Sequence, residues 1–216
     1  MLYVHGGGFV GTFDCFDPPF LSKWAKQTGA LIVGVDYALA PRYRYPVALD
    51  EVSAVYEALR DGTFGFRATN IIVVGQSAGG NLAAALCVRA ALRGVPRMPE
   101  GLILAYPTLN LGHSNSPSRT LFLNDVLLPF QLLKALGNDY VPPSANACDD
   151  PCISPNFASD DILRRFPPTC IAAAGLDPLL DDAVDFNTRL RRLKIPGAFK
   201  VYRSLPHAFL SMGHFR

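Results

Sequence analysis

Six short apolar runs, spaced along 216 residues and separated by helix-like segments, constrain this chain more than any other feature. They are "LYVH" at 2–5, "LIVGVD" at 31–36, "IIVVG" at 71–75, "LILAY" at 102–106, "CIAAAG" at 170–175 and "FKVY" at 199–202. Most are continuously apolar rather than alternating, the pattern of strands covered on both faces in a parallel sheet. Helical patterns fall near 47–60, 79–93 and 179–194, where Gly94, and Pro196 with Gly197, supply stop signals. Strands alternating with helices predict an α/β fold, a mostly parallel sheet with right-handed crossovers and helices on both faces. With 50% hydrophobic residues the chain can bury one large core, so residues 1–216 are expected to form a single domain.

One interval breaks the rhythm. Residues 107–168 contain no convincing strand, and connections that long are usually functional or carry structure of their own. This interval is expected to supply a cap or lid segment, with a helix near Val126 to Leu136 and another part returning to the sheet.

Composition removes several classes of function. The net charge of +2 comes from 20 basic and 18 acidic residues scattered along the chain, with no basic stripe, so nucleic acid is not the expected partner. Five cysteines, Cys15, Cys87, Cys148, Cys152 and Cys170, are odd in number and mostly in apolar surroundings, which suits buried free thiols. Cys148 and Cys152 lack a second ligand pair at zinc-site spacing, and no metal or cofactor is expected. No signal peptide opens the sequence and no apolar run reaches about 18 residues, so a cytoplasmic location is expected.

Chemistry enters at "IIVVGQSAGGNLAAALCVRAAL". Gly75, Gln76, Ser77, Ala78 and Gly79 match G-x-S-x-G, preceded by a strand and followed by an apolar helix, the context of a nucleophile elbow. Glycines at 75 and 79 are expected where strand and helix pass too closely for side chains. A helix cap at Ser77 would explain the serine but not its small neighbours.

A serine hydroxyl needs a base, and the base needs an orienting group. Of four histidines, only His207 comes off the C-terminal edge of a strand, where parallel sheets place their ligand sites. His5 belongs to the glycine loop, where it is expected to brace rather than react; His113 lies in the long interval and His214 near the end. Asp177 stands just past the strand at 170–175, whereas Asp181, Asp182 and Asp185 read as helix-start acids facing a positive dipole. The order Ser77, Asp177, His207 is the one expected of α/β-hydrolases. "HGGGF" follows the first strand, and its backbone N–H groups, at Gly7 and Gly8, together with that of Ala78, are expected to form an oxyanion hole.

The ordered stretches "HGGGF", "VDYALAP", "GQSAGGNLAAAL", "DPLLDD" and "LPHAF" together resemble the hormone-sensitive lipase family of α/β-hydrolases. "RGVPRMPEGLILAYPTLNL" and "SPSRTLFLNDVLLP" are more similar to the lipase that gives the family its name than to its bacterial esterases. The resemblance implies the same triad and oxyanion hole, and hydrolysis of a small-molecule carboxylic ester through an acyl-serine. A cap rich in Leu, Phe and Pro suits neutral, apolar acyl groups and contact with lipid surfaces.

Three departures stand out. Gln76 replaces the family's usual Asp, predicting altered positioning or pH dependence; Arg42 replaces a frequent Glu; and the 107–168 interval is too short for the lipase's regulatory insertion. The chain also opens at the strand that carries "HGGG", whereas family members begin with cap helices and two earlier strands. A truncated form is therefore expected, lacking part of its pocket and leaving "LIVGVD" as an open edge that invites pairing with another copy. The competing readings are a non-catalytic binding protein on the same fold, disfavoured by the presence of His207, an inactive fragment, and an amidase or deacetylase using the same triad.

Overall fold

The computed structural model describes residues 1–12, 19–112, 115–123 and 125–211, so Cys15, His113 and His214 lie outside the described residues. Six strands form one sheet: β1 (Leu2–Val4), β2 (Val33–Val35), β3 (Ile72–Gln76), β4 (Gly101–Ala105), β5 (Thr169–Leu176) and β6 (Gly197–Pro206). Their order is β2-β1-β3-β4-β5-β6, and every pairing among them is parallel. Parallel pairing brings the C-terminal ends of all six strands to one edge. The loops after β1, β3, β5 and β6 therefore emerge together.

The helices are α1 (Pro19–Thr28), α2 (Val47–Asp61), α3 (Ala78–Leu92), α4 (Pro117–Leu121), α5 (Phe130–Tyr140), α6 (Asp160–Leu163) and α7 (Leu180–Arg192). Leu2 and Val4 point into the main core with residues of α2, α3 and α7, whereas Tyr3 points the other way and meets Phe20 of α1 at 6.1 Å. The sheet is thus flanked on both faces. α3 is buried from Ala78 to Ala91, which explains why its sequence is apolar all round.

Three sequence expectations need correction. The helix expected over 126–136 begins only at Phe130, because Pro129 has extended backbone (ψ 145°) and the residue before a proline avoids the helical region. Val126, read as part of that helix, is 94% exposed. The second correction concerns β6, which is largely exposed rather than covered on both faces. Of the thiols, Cys87 and Cys152 are buried as expected, but Cys148 and Cys170 are exposed. α1 was not legible as a run, since Phe20, Leu21 and Trp24 are only half-buried. Arg42 is exposed and lies over the Tyr43 ring. No described helix is long and apolar enough to cross a membrane.

Backbone approaches backbone closely where α3 crosses the sheet. A Cβ on Gly79 would lie 2.1 Å from the Val4 carbonyl oxygen and 2.3 Å from that of His5, and a Cβ on Gly75 would lie 2.2 Å from the Gly79 carbonyl oxygen. Backbone must move to admit a methyl group there. Gly79→Ala is expected to cost about 3 kcal/mol or more of stability, read as a lowered urea midpoint; an unchanged midpoint would show that the crossing is not tight.

Candidate active site

Ser77 occupies the N-cap position of α3 with φ 54° and ψ −120°, a conformation costly for a non-glycine residue. The turn is fixed from three sides: Ser77 N–H donates to the Ala105 carbonyl at 2.9 Å, and the Ser77 carbonyl accepts from Asn81 at 3.1 Å and Thr108 at 3.2 Å. Its side chain makes no capping bond to α3. Instead Ser77 Oγ lies 2.9 Å from His207 Nε2.

His207 directly follows β6 and is buried. Its Nδ1 is 2.8 Å from Asp177 Oδ2, and Asp177, directly after β5, is only 1% exposed. A carboxylate can only accept, so Nδ1 carries the proton and donates to Asp177. That assignment leaves the Nε2 lone pair free to accept from the Ser77 hydroxyl. Asp177 Oδ1 accepts from Leu179 N–H at 2.9 Å, which fixes the carboxylate plane.

The structure gives Asp181 and Asp182 more than a dipole role. Asp181 accepts from Ser118 N–H at 2.7 Å, and Asp182 accepts from Arg119 Nη2 at 2.8 Å, with both partners of the second pair almost fully buried. Burial pushes the Asp182 carboxyl up to about 7 while the Arg119 charge pulls it down. Together with the Ser118 hydroxyl, which donates to the Pro178 carbonyl at 3.0 Å, these bonds fasten α4 to the turn that carries Asp177. Removing one member of such a buried pair typically costs about 3 to 5 kcal/mol. Asp185, in contrast, is exposed.

The glycine loop follows β1. Gly7 (φ 119°) and Gly8 (φ 63°) both have backbone in the left-handed half, and the Gly7 carbonyl accepts from Val10 and Gly11 N–H groups at 3.2 and 2.9 Å. Gly7 and Gly8 line the same cavity as Ser77 and His207. Ala78 is the first residue of α3, so its N–H has no acceptor within the helix. His5 lies below, stacked on Tyr37 at 4.1 Å, with Nδ1 2.6 Å from the Gly6 carbonyl oxygen. Burial lowers its pKa, keeping it neutral in a bracing position.

The cavity has a volume of about 500 Å³. One wall is Leu128, Leu132, Leu133 and Leu136 from the segment before and within α5, joined by Phe9 from the glycine loop. Leu128, Phe130 and Leu133 also pack on Leu179, beside the Asp177 turn. Part of the 107–168 interval thus lines the cavity, whereas Ile153, Ala158, Leu163 and Phe166 return to the main core. Gln76 is satisfied on both sides, donating to the Tyr3 hydroxyl at 2.8 Å and accepting from the Tyr106 hydroxyl at 2.7 Å. Sequence reading missed both tyrosines, because their meeting depends on the β1-β3-β4 order. Among the described residues no three metal-ligating side chains converge.

The family profile described as the alpha/beta hydrolase fold matches residues 1–211. The chain belongs to the α/β-hydrolase fold family. Among α/β-hydrolases it is similar to hormone-sensitive lipase of Bos taurus, 39% identical over 142 residues, or 65% of this chain and 19% of that protein. An esterase of Acinetobacter venetianus is 33% identical over 211 residues, covering 97% of this chain and 67% of its own. The crystal structure of carboxyl esterase 2 from Tuber melanosporum superposes with a TM-score of 0.88 at 29% identity, covering 98% of this chain and 70% of that one. The matched segment is thus about a fifth of the length of the lipase and about two thirds of the esterases.

Proposed function

We propose that this α/β-hydrolase cleaves neutral carboxylic esters with apolar acyl groups, through an acyl-serine intermediate. The observation that carries the reading is the continuous hydrogen-bonded chain from Ser77 Oγ to His207 Nε2 (2.9 Å) and from His207 Nδ1 to Asp177 Oδ2 (2.8 Å). In this reading Ser77 Oγ attacks the ester carbonyl carbon while its proton passes to His207 Nε2. The carbon–oxygen bond to the alcohol breaks, and His207 returns the proton to the leaving alkoxide. Water then repeats the sequence on the acyl-serine and releases the acid. Asp177 holds the tautomer and faces the imidazolium that forms. Gly7, Gly8 and Ala78 N–H groups meet the charge on the carbonyl oxygen, each donor worth about 3 to 4 kcal/mol in the transition state.

The leucine wall supports an apolar acyl group, and kinship with the hormone-sensitive lipase branch is the finer placement that its motifs favour. A non-catalytic binding role is disfavoured by the engaged His207. On the partner side, β2 carries no described strand on its outer edge and Leu31 beside it is 62% exposed, which supports pairing with a second copy.

Three measurements test this reading. Intact-mass analysis after treatment with a fluorophosphonate is expected to show one adduct, absent in Ser77→Ala; a folded chain that takes none, or a mutant that still does, would overturn the assignment. Leu136 sits against Gly8, where a glycine Cβ would come within 2.6 Å of its Cδ1. Leu136→Ala is therefore expected to move the optimum among p-nitrophenyl esters toward longer acyl chains, and an unchanged profile would remove this wall from acyl selection. Sedimentation at two concentrations is expected to show a dimer. A monomer that unfolds cooperatively would exclude the edge pairing.

A further inference from the structure

Tyr106 stands outside the hydrogen-bonded chain of Ser77, His207 and Asp177 yet touches His207 and the residue before Ser77. It directly follows β4 with φ 37°, a region a tyrosine occupies only when its surroundings hold it there. Its N–H donates to the Ala172 carbonyl of β5 at 2.7 Å. The ring is buried and packs against the His207 imidazole with centroids 5.0 Å apart and planes at 64°. Phe209, two residues beyond His207, packs on the same ring at 5.1 Å.

The side chain is a junction. It donates to Gln76 Oε1 at 2.7 Å, and Gln76 immediately precedes Ser77. The ring also packs with Phe209 and Leu210 of the turn that follows His207. An amide carbonyl oxygen can only accept, so the single phenolic proton serves Gln76. Burial drives the phenol far above its ordinary range, which keeps that proton in place. Gln76 cannot drift, because its Nε2 donates to the Tyr3 hydroxyl of β1 at 2.8 Å.

We infer that Tyr106 is a positioning residue for His207: its ring holds the imidazole and the turn after it while its hydroxyl is tied to the residue before Ser77, and this single side chain so sets the contact between base and nucleophile. The inference rests on the ester-hydrolase reading. A phenylalanine would fill the same volume and keep the ring against His207. It would leave Gln76 Oε1 without this partner in a buried place, freeing the ring to shift against His207. A purely structural tie would lower stability alone, whereas a positioning tie lowers kcat, since displacements of about an ångström in a reacting pair cost large factors in rate.

The test is kinetic. Tyr106→Phe, Gln76→Met and the double variant are compared with the unaltered chain on one short-chain p-nitrophenyl ester, below the thermal midpoint of each. Each single change is expected to lower kcat roughly tenfold to a hundredfold with KM changed by less than about twofold. The double variant is expected to be no slower than the slower single, because both changes cut the same tie. Should Tyr106→Phe fail to fold, Gln76→Met carries the same expectation. Unchanged kcat in the single variants, or losses that multiply in the double, would overturn the inference while leaving the hydrolase reading intact. An unaltered chain that is folded but hydrolyses nothing would overturn both.

Discussion

The rest of the molecule depends on one close approach of backbone to backbone, the crossing of α3 over the ends of β1 and β3. Because Gly75 and Gly79 carry no side chains, the helix starts almost in contact with the carbonyls of Val4 and His5. That proximity does two things at once. It lifts Ser77 onto a turn with positive φ, and it puts the first N–H of α3 beside the loop that follows β1. Strain of about 1 to 3 kcal/mol at Ser77 is tolerable because the turn is bonded to β4 and because α3 is buried along nearly its whole length. A less apolar helix would not hold a serine in that conformation.

Parallel pairing then decides where everything else falls. With β3, β5 and β6 pointing the same way, the residues just past their ends arrive at one edge, although Ser77 and His207 are 130 positions apart. Contact at 2.8 to 2.9 Å across such separations needs the flanking turns to be fixed as firmly as the strands. Leu179 N–H fixes the carboxylate of Asp177, and the aromatic group of Tyr106, Tyr202 and Phe209 surrounds the turn after His207. The motif residues meet in one hydrogen-bonded chain; less conspicuous neighbours supply its alignment.

Much of this was legible in the sequence, for reasons that differ by element. The central strands β1, β3 and β4 were readable because burial on both faces demands unbroken apolar runs, and the elbow because a helix cap alone does not need small residues on both sides of a serine. β6 was readable as a strand but not as an exposed one, since "FKVY" shows no sign of what covers it. The helix in the cap interval was displaced by four residues because apolar periodicity was followed through Pro129, which the backbone cannot do. The tyrosines beside Gln76, and the bond from Arg119 to Asp182, were illegible. Each joins residues far apart in sequence, 73 positions for Tyr3 and Gln76 and 63 for Arg119 and Asp182, and no local pattern encodes such a meeting.

The fastening of α4 to the Asp177 turn has a consequence for how this cavity discriminates between ligands. Through Leu128, Phe130 and Leu133, the cavity wall leans on Leu179, whose N–H holds Asp177, and Arg119 binds the same turn through Asp182. Wall and carboxylate therefore belong to one mechanical body. On the ester-hydrolase reading, a bulky group that pressed the wall outward would also tilt the carboxylate beneath the imidazole, so that a poor fit would be felt at the reacting bond rather than only in residence time. Selectivity built this way appears in turnover more than in affinity, and a misfit ligand that binds well becomes a bystander or an inhibitor.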